Sequence, residues 1–133
     1  MGAPLAPPPP EAVASTSPAG IATGPVLAAF LVSYQSDPNG AHWVLKSGRL
    51  VVGRQGAADG LDVEINDPTT SSNHAAFHVD ANTHAVQLED LGSTNGTYVN
   101  DEAIPAHQRR ELRDHDKVRF GGFTTVLVVV PRF

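Results

Sequence analysis

From residue 25 onward, apolar residues recur in short runs that alternate with polar residues and are separated by closely spaced turn signals. Short runs rich in Val, Ile, Leu and aromatic residues, bounded by Gly, Pro, Asn and Asp, predict β-strands. No segment of useful length shows the apolar spacing of a helix. The predicted strands are 26–34, 42–46, 49–52, 62–65, 75–79, 86–90, 97–99, 103–104, 111–112, 117–120 and 123–130.

The alternation within these runs indicates which side chains face a core. Val63 and Ile65 share one face of their strand, as do Phe77 and Val79 of the next. The final run, 123–130, is almost continuously apolar, which is typical of a strand covered on both faces. Many short strands with frequent turns predict an all-β protein, either a sandwich or a barrel.

The first 24 residues have a different composition. Seven of the 11 Pro residues lie within the first 25 positions, and Glu11 is the single charged side chain of residues 1–24. Such a segment buries too little apolar surface to offset its ordering entropy. We expect a disordered linker over residues 1–24, followed by one folded domain over 25–133.

Composition narrows the functional classes. The chain has 133 residues, a net charge of -5 and no Cys, so we expect no disulfide framework and no thiol chemistry. The acidic balance argues against a nucleic-acid partner, and the absence of a long apolar run argues against a membrane span. The first 45 residues contain no Lys or Arg, so we expect no basic leader segment. We therefore expect a cytoplasmic protein.

The most informative stretch is residues 90–100, with the sequence Asp-Leu-Gly-Ser-Thr-Asn-Gly-Thr-Tyr-Val-Asn. Its centre is too rich in Gly, Asn and hydroxyl residues to form a strand or helix, and it predicts a tight loop between two strands. Asn95 and Gly96 both tolerate positive φ. Small polar residues on one exposed loop present hydroxyls, amides and backbone N–H groups, which suits binding better than packing.

Two other loops follow strand ends and carry candidate chemistry. One begins with Gly53-Arg54, and the guanidinium of Arg54 matches phosphate or carboxylate geometry. The other, residues 69–74, contains Ser71 three positions before His74. Taken alone, a strand-end Arg is usually just exposed, and a Ser near a His usually belongs to an ordinary turn.

Taken together, the order and spacing of these loops resemble the forkhead-associated (FHA) domain. The resemblance continues through Leu112, Asp114 and Asp116 to Gly121, and it covers residues 27–130. It implies an eleven-stranded, two-sheet β-sandwich of the FHA/SMAD-like type, whose loops at one end bind a phosphothreonine peptide. The implied site residues are, for the phosphate, Arg54 and Ser71; for the peptide, Ser72, Thr94 and Asn95; and for the loop structure, Gly53, His74 and Gly96.

The sequence also departs from the pattern of the family. Ser72 stands where many members carry Arg or Lys. Thr69 stands where some members place a basic residue that reads an acidic side chain three positions after the phosphothreonine. His115 replaces the Gly of an Asp-Gly-Asp turn, and we expect left-handed backbone there with small strain.

Enzymatic and metal-binding alternatives have little support. A Ser hydrolase built on Ser71, His74 and Asp67 or Asp90 would lack the Gly-x-Ser-x-Gly elbow. The His residues form no recognised ligand spacing, so we expect no metal and no cofactor.

The sequence therefore predicts a non-enzymatic, monomeric phosphothreonine-recognition module that acts in Ser/Thr kinase signalling. Its partners would be a phosphothreonine-containing protein and an upstream kinase. The alternative is an FHA-like scaffold module that binds without phosphate in a larger assembly; the presence of both Arg54 and Ser71 favours phosphopeptide binding. Thr16 and Thr23 lie in the tail, and a phosphorylated tail that occupies the domain's own loops is a further hypothesis.

Overall fold

The computed structural model describes residues 24–131, so the predicted linker, apart from Gly24, lies outside the described residues. Within this range the chain forms eleven strands and no helix. They are β1 (Leu27–Ser33), β2 (Ala41–Lys46), β3 (Gly48–Arg54), β4 (Val63–Ile65), β5 (Ala75–Val79), β6 (Val86–Asp90), β7 (Thr97–Val99), β8 (Glu102–Ala103), β9 (Arg109–Leu112), β10 (Lys117–Phe120) and β11 (Phe123–Val129).

The strands form two sheets that face each other. One has six strands in the order β2-β1-β11-β10-β7-β8, and the other has five in the order β4-β3-β5-β6-β9. Neighbouring strands are antiparallel except β3 and β4, which run parallel. This architecture confirms the predicted eleven-stranded β-sandwich. Within the described residues, no helix is present that could cross a membrane.

The core lies between the sheets and is built from alternate residues of each strand. Phe77 of one sheet meets Phe120 of the other in an edge-to-face contact, with ring centroids 6.1 Å apart. Val63, Ile65 and Val79 are also buried, as the alternation predicted. Most intervening residues point to solvent, although Ala28 of β1 and Ala76 of β5 are buried as well.

The expectation that β11 is covered on both faces is wrong. Its inward residues, including Phe123 and Leu127, are buried, but Val126 is 38% exposed on the outer face. Val44, on the same sheet, is 44% exposed. β-Branched residues suit the backbone of a strand even where nothing covers them, so an apolar run does not prove burial on both faces.

Two local predictions can be compared directly with the structure, and one of them differs from it. His115 has φ of 69°, which confirms the expected left-handed conformation in the turn between β9 and β10. β9 begins at Arg109, two residues before its predicted start, because it pairs with β6 along Leu88 and Glu89.

Candidate functional site

The loops singled out by the sequence meet at one end of the sandwich, together with the turn between β10 and β11. We call this end the rim and define it as the strand end at Arg54, loops 66–74 and 91–96, and turn 121–122. Hydrogen bonds between these segments hold them together, and each segment is anchored by the strands that flank it.

Arg54 is the last residue of β3 and is partly buried. Its backbone N–H donates to the carbonyl of Ser71 over 2.9 Å, and Nη1 of its side chain donates to the carbonyl of Thr70 over 3.1 Å. A guanidinium carries several N–H donors, so the bond to Thr70 fixes its position and leaves other donors available.

Gly53 is where the strand and the loop come closest. A methyl group on its Cα would overlap the carbonyl oxygen of Ser72 and the side chain of Leu61. Only a residue without Cβ therefore lets loop 66–74 lie against the end of β3, where it brings Ser71 next to Arg54.

His74 is fully buried and connects the two polar loops. The backbone N–H of Ser71 donates to Nδ1 over 3.0 Å, so the ring proton resides on Nε2, which donates to the carbonyl of Gly96 over 2.9 Å. Burial lowers the pKa of His74, and this outweighs the raising effects of the Gly96 carbonyl and Asp90. The neutral imidazole thus joins loop 66–74 to loop 91–96.

Asp90 organises the second loop from inside, a role that the sequence analysis did not assign. It is 4% exposed, and its carboxylate accepts bonds from the Gly92 and Ser93 N–H groups and from the hydroxyls of Ser93 and Thr97. Burial alone would raise the pKa of Asp90, but the hydrogen bonds from Ser93 and Thr97 outweigh it, and the pKa is lowered. An Asp directly before Leu-Gly-Ser is a recognisable turn-capping signal.

Ser71, Thr94 and Asn95 lie at the solvent side of the rim. The Thr94 backbone N–H donates to Oγ of Ser71 over 3.1 Å, so this hydroxyl keeps its own proton for another acceptor. Nδ2 of Asn95 donates to the carbonyl of Thr69 over 2.8 Å. Gly96 has φ of 85°, whereas Asn95 does not adopt positive φ.

Thr69 is a second residue whose importance the sequence did not reveal. Its carbonyl accepts the hydrogen bond from Asn95, and its hydroxyl accepts one from the backbone N–H of Gly122 over 2.7 Å. The same hydroxyl donates a hydrogen bond to the carboxylate of Asp67. Its carbonyl also lies so close to Gly121 that a methyl group there would overlap it. Thr69 thus ties loop 66–74 to the turn between β10 and β11.

The structure therefore brings together the residues that the sequence singled out. Ser72 contributes its carbonyl to the contact with Gly53, and it lies beside Ser71 on the same loop. The result is a cation, a hydroxyl, a side-chain amide and backbone N–H groups on one braced surface. Such a set of donors on the loops of a β-sandwich suits a recognition domain that binds an anionic group of a peptide.

The chain belongs to the FHA domain family, whose model matches residues 50–121. Members of this family recognise phosphothreonine in Ser/Thr kinase signalling. Among solved structures, the chain is similar to an FHA domain from work on phosphothreonine-dependent FHA domain interactions. The TM-score is 0.65 at 26% identity, covering 79% of this chain and 99% of that one.

Two curated relatives are similar over most of their length. The oxoglutarate dehydrogenase inhibitor of Corynebacterium glutamicum is 31% identical, covering 91% of this chain and 82% of the relative. The glycogen accumulation regulator GarA of Mycobacterium tuberculosis is 30% identical, covering 93% of this chain and 72% of the relative.

Proposed function

We propose that this domain binds a phosphothreonine-containing segment of a protein, with the phosphate held between the guanidinium of Arg54 and the hydroxyl of Ser71. The observation that carries the proposal is that Arg54 forms hydrogen bonds directly to loop 66–74, which contains Ser71. The Arg54 N–H bonds to the Ser71 carbonyl, and its guanidinium bonds to the adjacent carbonyl of Thr70.

The chemistry of the two groups suits a phosphate dianion. A guanidinium and a hydroxyl both donate, and hydrogen bonds to a charged acceptor are stronger than those between neutral groups. Because the whole chain carries a net charge of -5, attraction of the phosphate depends on the local field of Arg54. Binding should therefore weaken as salt concentration rises.

The peptide backbone would lie along Ser72, Thr94 and Asn95. The side chain of Asn95 can donate to a carbonyl and accept from an N–H. It can therefore form hydrogen bonds with an extended peptide once its amide group leaves the Thr69 carbonyl. Gly53, His74 and Gly96 then serve to keep the two loops in register.

The geometry of Ser71 and His74, the residues on which a Ser hydrolase would depend, supports a non-enzymatic role. Nδ1 of His74 accepts from the backbone N–H of Ser71 rather than from its hydroxyl, and Nε2 is engaged with Gly96. No ring nitrogen is left to activate the Ser71 hydroxyl. We propose a monomeric, cytoplasmic adaptor that acts downstream of a Ser/Thr kinase without nucleic-acid or membrane partners.

A titration of the purified domain against matched peptide libraries tests the proposal. The arms contain phosphothreonine, phosphoserine or unmodified threonine in the same sequences, and fluorescence anisotropy reports Kd. We expect binding only to phosphorylated peptides, with phosphothreonine favoured over phosphoserine about fivefold, because one buried methyl group contributes about 1 kcal/mol. Equal binding to phosphorylated and unmodified peptides would instead support the phosphate-independent scaffold.

A further inference from the structure

A second guanidinium lies at the same rim, on a different strand. Arg119 of β10 alternates with the buried residues Val118 and Phe120, so it points outward from the six-stranded sheet. Its guanidinium carbon lies 3.9 Å from the centroid of the Tyr98 ring, and Nη1 donates to the carbonyl of Gly121 over 2.7 Å. These two contacts fix the direction in which the cation points.

Both contacts connect Arg119 to the residues proposed to hold the peptide. The Tyr98 hydroxyl donates to the carbonyl of Asn95 over 3.2 Å. The backbone N–H of Gly121 donates to the carbonyl of Gly96 over 2.9 Å. Arg119 therefore adjoins the rim, although it lies outside the loop motifs that the sequence singled out.

The charge of Arg119 is not neutralised by a close ion pair within residues 24–131. By contrast, Lys117 of the same strand pairs with Asp101 at 2.9 Å, and Arg110 of β9 pairs with Glu102 at 2.8 Å. Arg119 has no carboxylate within 4.0 Å in the same part of the chain, and its nearest described hydrogen-bond acceptor is the carbonyl of Gly121. The pKa of Asp101 is lowered chiefly by its hydrogen bond to Lys117, and the charge of Arg119 adds to this from a longer distance. Because Asp101 is bonded to Lys117, Arg119 retains N–H donors for a ligand.

The arrangement of Arg119 parallels that of Arg54. Each guanidinium is positioned by one backbone carbonyl, that of Thr70 for Arg54 and that of Gly121 for Arg119. Thr69, the neighbour of Thr70, lies directly against Gly121 and accepts from Asn95. Each cation is therefore bonded to a close neighbour of Thr69, Arg54 to Thr70 and Arg119 to Gly121, and Thr69 itself is bonded to Asn95 of the proposed peptide surface.

We infer that Arg119 is a second anion-recognition residue, which binds an anionic side chain of the same segment whose phosphothreonine occupies Arg54 and Ser71. The inference rests on the proposed function and adds a sequence preference to it. The ligand group is a carboxylate or a second phosphate, since both match the planar fork of a guanidinium. Thr69 supplies no cation on loop 66–74, and Arg119 provides one from β10 instead.

The test is a position scan with phosphothreonine peptides whose other residues near the phosphate are Ala. Asp, Glu or phosphoserine is placed singly at each of about five positions on either side, and Kd is measured for the wild-type domain and for Arg119→Gln. At one or two adjacent positions, we expect the anion to improve wild-type affinity about three- to tenfold. Arg119→Gln should abolish this gain while binding the Ala-flanked peptide within about twofold of wild type. The Asp, Glu and phosphoserine arms distinguish a carboxylate from a second phosphate.

Two further variants separate the local contact from general charge. Arg113→Gln removes the same charge from the turn between β9 and β10, at the opposite end of β10 from the rim, and should keep the full preference. Arg119→Lys keeps the charge but loses the planar fork, and should keep part of the preference. In the wild type, the preference should shrink at about 0.5 M NaCl.

The outcomes also separate this inference from the proposed function. If the wild-type domain binds phosphothreonine peptides but an anionic residue improves its affinity at none of the positions, Arg119 is not a recognition residue. The same conclusion follows if Arg119→Gln keeps the preference, or if a folded Arg119→Gln domain binds the Ala-flanked peptide more than tenfold more weakly. Absence of phosphate-dependent binding by the wild type would overturn the proposed function itself.

Discussion

His74 accepts the backbone N–H of Ser71 on Nδ1 at 3.0 Å, and this bond decides which ring nitrogen carries the proton. The other nitrogen, Nε2, therefore donates to the carbonyl of Gly96. A ring that accepts from one loop and donates to the other holds both at a fixed separation only while it is neutral.

Replacement of His74 by Phe should destabilise the domain by about 1–3 kcal/mol. Phe fills a similar volume and can keep the edge-to-face contact with Phe120, but it leaves the partly buried Ser71 N–H without an acceptor and leaves the Gly96 carbonyl with only the Gly121 N–H as a donor. Urea unfolding followed by fluorescence gives the free energy of unfolding. His42→Phe, at an exposed position on β2, is the control and should change this value little. Equal stability of both variants would contradict the bracing role of His74.

The buried Asp90 carboxylate should give a defined pH dependence of stability. Its pKa is lowered in the folded state, so the ionised carboxylate stabilises the fold above the unfolded-state value of 3.8. This contribution is lost as pH falls below 3.8 through the lowered folded-state pKa. Asp90→Asn should cost about 2–4 kcal/mol at pH 7, because an amide cannot accept all four hydrogen bonds.

Urea unfolding of the wild type and Asp90→Asn at several pH values between 7 and 2.5 measures this effect. The stability difference between the two proteins should be constant down to about pH 4 and shrink below it. A difference that stays constant throughout would show that the Asp90 carboxylate keeps an ordinary pKa.

Replacement of Arg54 by Ala should abolish measurable phosphopeptide binding and leave the melting temperature within a few degrees of wild type. The side chain makes one hydrogen bond to the Thr70 carbonyl, which water can replace at this partly exposed position. Anisotropy titration and a thermal melt are needed together, with Arg113→Ala as the matched control. A large fall in melting temperature would mean that Arg54 chiefly stabilises the fold.

Gly53→Ala should displace loop 66–74 and weaken both folding and binding. The added methyl group would overlap the backbone carbonyl of Ser72, which cannot yield without moving Ser71. Overpacking of this kind costs about 1–3 kcal/mol. Gly122→Ala is the comparison, because its methyl group would meet only the side chain of Thr69. The idea fails if Gly53→Ala binds phosphopeptide as well as Gly122→Ala does.

His115→Gly should stabilise the domain by about 0.5–1 kcal/mol without changing peptide affinity. His115 is exposed and has φ of 69°, a conformation that Gly adopts without a steric penalty. The turn keeps its backbone bond from residue 115 to the Leu127 carbonyl, because Gly retains the donor. Denaturant unfolding measures the free energy of unfolding of His115→Gly and of His115→Ala. The Ala variant removes the imidazole but keeps the strained backbone, so the difference between the two variants isolates the backbone effect. No advantage of Gly over Ala would refute the prediction.

Local patterns were sufficient to predict most of the fold. Alternation and turn residues located all eleven strands, since a strand with one buried face repeats every second residue. These patterns did not predict features that depend on how strands pair, such as the start of β9. Arg109 and Arg110 join β9 because they lie opposite Glu89 and Leu88 of β6, a relationship absent from their own segment. Val126 was misjudged because its apolar character does not reveal which face it occupies.

The site was predictable to the extent that its residues lie in short motifs. Arg54, Ser71 and the 91–96 loop follow from such motifs, whereas Thr69 and Arg119 do not. The bond between Asn95 and Thr69 joins residues 26 positions apart, and Arg119 reaches the rim only because β10 pairs with β7. Contacts of this kind depend on topology, which no local stretch encodes.

The bond between the Asn95 amide and the Thr69 carbonyl has a consequence for selectivity among cellular proteins. In the proposed mode of binding, an unmodified extended segment that reaches Asn95 would first have to displace this internal partner, and it would exchange one hydrogen bond for another with little net gain. Only a group that adds new interactions elsewhere on the rim can make the exchange favourable. The proposed mode of binding would thereby protect the domain against the large excess of unphosphorylated chains, and kinase activity would set the time at which the domain becomes occupied.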